Sequence, residues 1–313
     1  MKAAIVTSFN QPPRYGEFTD PAPMGKGEML IDVLAAGLHH VARGRASGAH
    51  YSAGDRLPLI PGIDGVGRGA DGKLRYFVQG PEQLGSLAEK TVIESDHSIK
   101  LPNDADPVTI AAAMNPAMAS WLALRCRVPF RKKMKVLILG ATGSSGSLAV
   151  QIARHLGASQ VIAVGRNEHK LAQLPALGAT DIATLGDSRL GTLAREVEIV
   201  LDFVWGDSAA TTIETVLKQR SDRSRPLTWI HVGSMAGDIA PIPGLFLRAA
   251  NFQIVGSGFG SVSGRDILKE LPALIKAIVR GTFKLDVKAV PLANVEQAWT
   301  AANHSGERIV FTP

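Results

Sequence analysis

Residues 135–157, KVLILGATGSSGSLAVQIARHLG, constrain the fold more than any other stretch of the chain. The apolar run Val136 to Leu139 predicts a strand buried on both faces. It enters Gly140-Ala141-Thr142-Gly143-Ser144-Ser145-Gly146, and an apolar helix, Gly146 to Leu156, leaves it. Glycines here let the chain turn tightly, let the backbone approach a pyrophosphate, and let the helix pack hard on the strand. The N–H groups at the helix start then face the phosphate charge. Glycine spacing alone is weak; between a strand and a helix it predicts a dinucleotide-binding βαβ unit. The alternative is a plain strand–helix turn. The usual G-x-G-x-x-G has Ala141 in its first slot here, with Gly140 just before it.

The rest of this half keeps the same grammar. Strands are predicted at Val161 to Val164, Ile199 to Val204 and Leu227 to Val232. Helices are predicted at Glu168 to Leu174, stopped by Pro175, and at Ala209 to Leu217. Such alternation is the mark of a parallel sheet covered on both faces. The first third differs. Met29 to Ala35, Gly65 to Gly69, Leu74 to Val78 and Ser86 to Ile93 read as short strands separated by Gly, Pro and Asp, a small barrel-like unit. Two helices follow, Val108 to Met114 and Ala117 to Arg127. After Gly260 come a long helix (Asp266 to Val279), a strand (Leu285 to Val290), a helix (Val295 to Ala302) and a last strand (Arg308 to Phe311).

The end of the second sheet strand carries the cofactor signal. An NAD site places Asp or Glu about 20 residues after the glycine loop, on the ribose 2′-OH. This chain reads Val164-Gly165-Arg166-Asn167 there. An arginine beside a helix start at Asn167 is mildly unfavourable unless it meets an anion, and a 2′-phosphate is the obvious one. Lys170, one turn on, adds to it. The cofactor expected is therefore NADPH; the competing reading is a solvated Arg166 paired with Glu168.

Composition adds limits. The 313 residues hold one cysteine, Cys126, which excludes an internal disulfide and a Cys-rich zinc site and reads as a small helix residue. The net charge of +6 is scattered, with only Arg131-Lys132-Lys133 as a run, so no nucleic-acid partner is expected. No stretch approaches the roughly 18 uninterrupted apolar residues of a membrane span. The opening MKAAIVTSFNQPP lacks a signal-peptide core, and the expected location is cytoplasmic, without membrane attachment.

With these motifs in place, the chain resembles the zinc-free quinone-oxidoreductase branch of the medium-chain dehydrogenase/reductase superfamily over essentially its whole length. The resemblance rests on MKAAIV, Ala35-Ala36-Gly37-Leu38, Pro58-Leu59-Ile60-Pro61-Gly62-Ile63-Asp64-Gly65-Val66-Gly67 and Gly85-Ser86-Leu87-Ala88-Glu89. It continues through Trp121-Leu122-Ala123-Leu124, the glycine loop, and Val232-Gly233-Ser234. It implies an α/β fold: a Rossmann, doubly wound parallel-sheet domain (117–256) inserted in a GroES-like, mostly β substrate domain (1–116 plus 257–313). It also implies a cofactor cleft between them, Val232 and Gly233 among the cofactor residues, and dimers through the cofactor domains.

Zinc-dependent members carry a Cys-His pair and then Gly-His-Glu. The matching positions here are His39-His40 and Gly62-Ile63-Asp64, so a ligand cysteine is His39 and a ligand histidine is Ile63. A catalytic zinc needs three protein ligands and an open position, and no metal is expected. Other quinone reductases have Asn-Pro and then Asp where this chain reads His39-His40-Val41-Ala42, and Thr-Ala where it reads Ala119-Ser120. Asn115 is the candidate to replace that threonine at the nicotinamide carboxamide. The resemblance brings His39, His40 and Tyr51 to the nicotinamide face, and each is a candidate hydrogen-bond or proton donor to the acceptor. The expected reaction is hydride transfer from NADPH to a quinone or an α,β-unsaturated carbonyl. The alternatives are an enoyl or alkenal reductase and a non-catalytic, regulatory NADP(H)-binding protein.

Overall fold

The computed structural model describes residues 1–50, 53, 55–78, 84–258, 260–305 and 308–313. Tyr51 lies outside the described residues. The chain divides into two compact units, Met1–Asn115 with Ile275–Pro313, and Pro116–Leu274.

The contiguous unit is built on a six-stranded, all-parallel sheet. Its strands run, in spatial order, Asp181–Thr184, Gln160–Gly165, Lys135–Leu139, Ile199–Asp202, Leu227–His231 and Phe252–Gly256. Counted along the chain this is the order 3-2-1-4-5-6, with the reversal between Lys135–Leu139 and Ile199–Asp202. The central strands are apolar runs because both faces are covered: Leu137, Leu139, Val200 and Trp229 are buried in one cluster. The helix Gly206–Gln219 closes one face through Ala209, Ile213, Val216 and Leu217, spaced at helical intervals along one side.

The discontinuous unit is mostly strand. The longest strand, Glu28–Gly37, pairs antiparallel with Asp64–Gly69, Lys90–Glu94 and Arg308–Thr312. Leu74–Val78 and Ser98–Lys100 extend the sheet on one side, and Val287–Pro291 lies parallel to Arg308–Thr312 on the other. The core gathers Val6, Ile31, Phe77, Leu87, Trp299 and Phe311.

Several local readings change. Val108 to Met114 and Ala117 to Arg127 form one helix, Pro107–Cys126, which runs through Pro116. A proline lacks the N–H and crowds the carbonyl four residues back, so the sequence suggests a break there. By length and composition this helix could cross a membrane, but 61% of its apolar window is buried inside the protein, as in a core helix. Residues His40–Ala46, for which the sequence predicts no helix, form one whose first turn has no acidic residue and whose N-cap, His39, makes no side-chain cap. The strands Asp181–Thr184 and Phe252–Gly256 add to the sheet; both are its edges, where a strand is short and need not be apolar on two faces. Finally, the return to the first unit falls at residue 275, inside the helix Gly264–Val279, rather than at 257. Trp121 Nε1 and Arg125 Nε both donate to Glu270 Oε2 at 3.0 Å, and Arg127 donates to the Gly256 and Ser261 carbonyls at 2.8 and 2.9 Å. These contacts keep residues 257–274 with the contiguous unit.

Candidate active site

The glycine loop lies where the strand Lys135–Leu139 ends and the helix Ser144–His155 begins, and its glycines differ in role. Gly140 has φ +92°, a conformation that side chains rarely adopt. Gly146 has ordinary geometry but no room: a Cβ would lie 2.2 Å from the Gly140 carbonyl oxygen, so helix and strand touch there. Gly143, the helix N-cap, has φ −83° and would place a Cβ no closer than 3.7 Å to any protein atom. The protein itself does not require glycine at 143. Open space over a helix start is the cradle a pyrophosphate needs, and the residues fit it. Among the described hydrogen bonds, none uses the backbone N–H of Thr142, Ser144, Ser145 or Gly146. Ala141 is buried beneath the loop.

At the end of the neighbouring strand Gln160–Gly165, Arg166 is exposed, and no ion pair joins it to Glu168 among the described residues. Asn167 caps the short helix Glu168–Leu171, its side chain accepting the Lys170 N–H at 3.0 Å. Its amide oxygen is therefore committed to the backbone, whereas the Arg166 guanidinium is exposed. Lys170 is half-buried.

On the other side of the reversal the sequence reading missed Asp202. This fully buried carboxylate ends the strand Ile199–Asp202. Its Oδ1 accepts the N–H groups of Val204 and Trp205 at 2.8 and 2.9 Å, and its Oδ2 accepts Trp229 Nε1 at 2.8 Å. Burial pushes its carboxyl up, and these hydrogen bonds oppose the shift. Its carbonyl accepts the N–H groups of Val232 and Gly233 at 2.8 and 3.1 Å. The segment Val232–Gly233 is thus fixed beside the glycine-loop side of the sheet by backbone bonds. An acidic residue closing an apolar strand, IVLD, was the available signal.

In the discontinuous unit the candidates separate. His39 is buried, and its Nε2 lies 2.7 Å from Asp64 Oδ1. The other carboxylate oxygen accepts the Tyr76 hydroxyl at 2.8 Å. Arg308 completes the group: buried, it donates from Nη1 to the Leu38 carbonyl at 2.8 Å and from Nε to that of Ala112 at 3.1 Å. His39 Nδ1 and Arg308 Nη2 have no partner among the described residues. Burial holds the His39 imidazole below its ordinary range, with Asp64 opposing. Burial, reinforced by Asp64, pushes the Tyr76 phenol well above its own. Arg308 is pulled down by burial to about 10, with Asp64 opposing, and so stays cationic at neutral pH. His40 is exposed at the first turn of its helix, and surrounding protein, then Arg43, lower its imidazole. Asn115 is half-buried on the helix Pro107–Cys126, with no hydrogen bond to its side chain among those described.

The donor set is a poor match for zinc. Ile63 has no donor atom, both oxygens of Asp64 already accept hydrogen bonds, and the bonded nitrogen of His39 faces that carboxylate. No group of three metal-ligating side chains occurs among the described residues.

Comparisons with known proteins fit this geometry. Residues 146–278 match the family model described as zinc-binding dehydrogenase. A probable NADPH-dependent quinone reductase of Emericella nidulans is 32% identical, and the alignment covers all of both chains. A chloroplastic NADPH-dependent alkenal/one oxidoreductase of Arabidopsis thaliana is 27% identical, over 91% of this chain and 72% of that protein. The crystal structure of the quinone oxidoreductase from Thermus thermophilus, also solved with NADPH, superposes with a TM-score of 0.83 at 25% identity, covering both chains in full. The chain belongs to the medium-chain dehydrogenase/reductase superfamily, in its quinone oxidoreductase branch.

Proposed function

We propose that this protein is an NADPH-dependent reductase that delivers hydride to a quinone or an α,β-unsaturated carbonyl. The observation that carries the reading is the open glycine cradle followed by an exposed Arg166 in the place of an acidic ribose partner. The bound cofactor supplies the hydride. The free N–H groups at the start of the helix Ser144–His155 hold its pyrophosphate, and Arg166 with Lys170 selects the 2′-phosphate. The remaining task is orientation of a flat acceptor with water excluded, which is sufficient for an acceptor that already takes hydride readily.

We assign the proton that neutralises the reduced acceptor to Tyr51, whose phenol is protonated across the neutral range. His39 is a weaker candidate because its ring is buried against Asp64. His40 is exposed, and the surrounding protein and Arg43 lower its imidazole. A zinc-free reaction is supported by the donor set: Ile63 offers no ligand atom, and His39 Nε2 and both Asp64 oxygens are engaged with one another and with Tyr76. A homodimer through the cofactor unit is supported by the edge strand Phe252–Gly256 and by exposed Met235, Ile239, Leu245 and Leu247 just before it.

The test is NADPH and NADH oxidation measured in parallel against quinones, alkenals and enones. Turnover with NADPH and one acceptor class is expected. Failure to consume NADPH with any acceptor would leave a regulatory NADP(H)-binding protein. In the same assay Tyr51→Phe should lower kcat and kcat/KM together; an unchanged kcat moves the proton source to solvent. Activity lost to a chelator and restored by zinc would overturn the metal-free reading.

A further inference from the structure

Trp205 has φ +55° and ψ −156°, a conformation essentially confined to glycine. The strain is held in place by the surroundings. The Trp205 N–H donates to buried Asp202 at 2.9 Å, and the preceding carbonyl, on Val204, accepts the Ala236 N–H at 2.7 Å. The next residue, Gly206, also has a positive φ and sits against the Ala236 carbonyl. The chain thus uses glycine at one of two adjacent left-handed positions and a two-ring side chain at the other. A glycine at 205 would adopt this backbone without penalty.

The position of that ring suggests its use. Trp205 follows the strand Ile199–Asp202 on the carboxyl side of the sheet, at the reversal of strand order. In open parallel sheets ligands bind in this crevice. The same segment touches the phosphate loop: a Cβ on Gly140 would lie 3.0 Å from Val204 Cγ2. The indole is half-buried, with its centroid 4.4 Å from that of His231 and the ring planes at 58°. His231, at the end of the next strand, is within hydrogen-bond distance of Ser234 at 3.2 Å.

We infer that Trp205, backed by His231, is a binding residue that offers an electron-rich face to an electron-poor flat ring held at this crevice. Two rings have that chemistry, the oxidised nicotinamide and a quinone. The inference rests on the dinucleotide-dependent reading of the site.

The test compares three whole chains: the native protein, Trp205→Gly and Trp205→Phe. Binding of NADP⁺, of 2′,5′-ADP, and of 1,4-naphthoquinone in the presence of NADP⁺ is measured by calorimetry, together with difference absorption spectra and unfolding midpoints. Trp205→Gly should weaken NADP⁺ or naphthoquinone roughly ten-fold, the upper end of a single aromatic contact. The ligand that weakens identifies the ring. Trp205→Phe should retain most of the affinity, 2′,5′-ADP should bind as before, and the Gly variant should unfold no earlier than native. A long-wavelength charge-transfer band should appear with the native protein and vanish in the Gly variant. Unchanged binding of both ring-bearing ligands overturns the inference, and so does equal weakening of 2′,5′-ADP. If Trp205→Gly does not fold, absence of the band in native protein with either ligand overturns it. Native protein that binds both ligands but shows no turnover defeats the reductase reading and leaves the inference about Trp205 standing.

Discussion

Replacing Asp64 by Asn isolates the energetics of the buried polar cluster. Among the described residues the carboxylate is the only anion touching His39 and Tyr76, and it acts on Arg308, whose own bonds are to two backbone carbonyls. All four side chains are buried, so solvent does not screen them. Removing one partner of such a group typically costs about 3–5 kcal/mol, because the remaining charge stays buried. Asparagine keeps the shape and still accepts one hydrogen bond, which places the expected loss near the lower end, about 3 kcal/mol. Tyr76→Phe deletes one hydroxyl on the carboxylate and should cost about 1.5–3 kcal/mol. Hydrogen exchange of amides in the strands Glu28–Gly37 and Asp64–Gly69 reads the stability of this unit alone. A loss under about 1 kcal/mol for Asp64→Asn, the range of an exposed ion pair, would refute the argument.

Other outcomes test the cofactor site and the titration of the same cluster. Gly143→Ala should leave stability near native and weaken NADPH, whereas Gly146→Ala should destabilise the protein, because its Cβ would meet the Gly140 carbonyl; equal effects at both positions would remove the cradle reading. Arg166→Ala should erase most of the preference for NADPH over NADH, a loss of about 1.5–3 kcal/mol for a charge-assisted phosphate contact, and equal affinity of the native protein for both cofactors would exclude it. Acidification should destabilise the discontinuous unit. The folded state favours neutral His39, so its contribution is complete above about pH 6.5 and disappears as the pH falls through the lower folded value. His39→Gln should flatten that decline; an unaltered slope would assign it to His40 or His50, whose imidazoles are also lowered by burial.

What was legible in the sequence divides along physical lines. Central parallel strands are covered on two faces, and their apolar runs, such as Val136 to Leu139, announce themselves. The edge strand Asp181–Thr184 has no such obligation, and its sequence carries no apolar run. The strand–glycine loop–helix turn was legible because its geometry is local: a few consecutive residues make it. The His39–Asp64–Tyr76–Arg308 cluster was not, since its members come from separate strands and a helix start, up to 269 positions apart between residues 39 and 308. The sequence offers His39 as a donor at the nicotinamide face and gives no sign of the carboxylate against which it is buried. Trp205 gave no signal at all, because a left-handed backbone at a tryptophan is set by Asp202 and Ala236, not by its own preference.

The split in the chain sets an order of assembly. The contiguous unit is made of residues 116–274, all of which leave the ribosome before the second segment of the other unit. The other unit must wait, because Arg308–Thr312 sits between Val287–Pro291 and Glu28–Gly37 in its sheet. Until those last residues emerge, Glu28–Gly37 lacks a neighbour and Asp64 lacks its cation. Residues 28–69 therefore stay open-edged and charge-unbalanced while the middle of the chain is made, which is where chaperone engagement is expected. Protease pulses on stalled nascent chains should find the middle segment protected while residues 28–69 remain cleavable, and early protection of both would contradict this sequence of events.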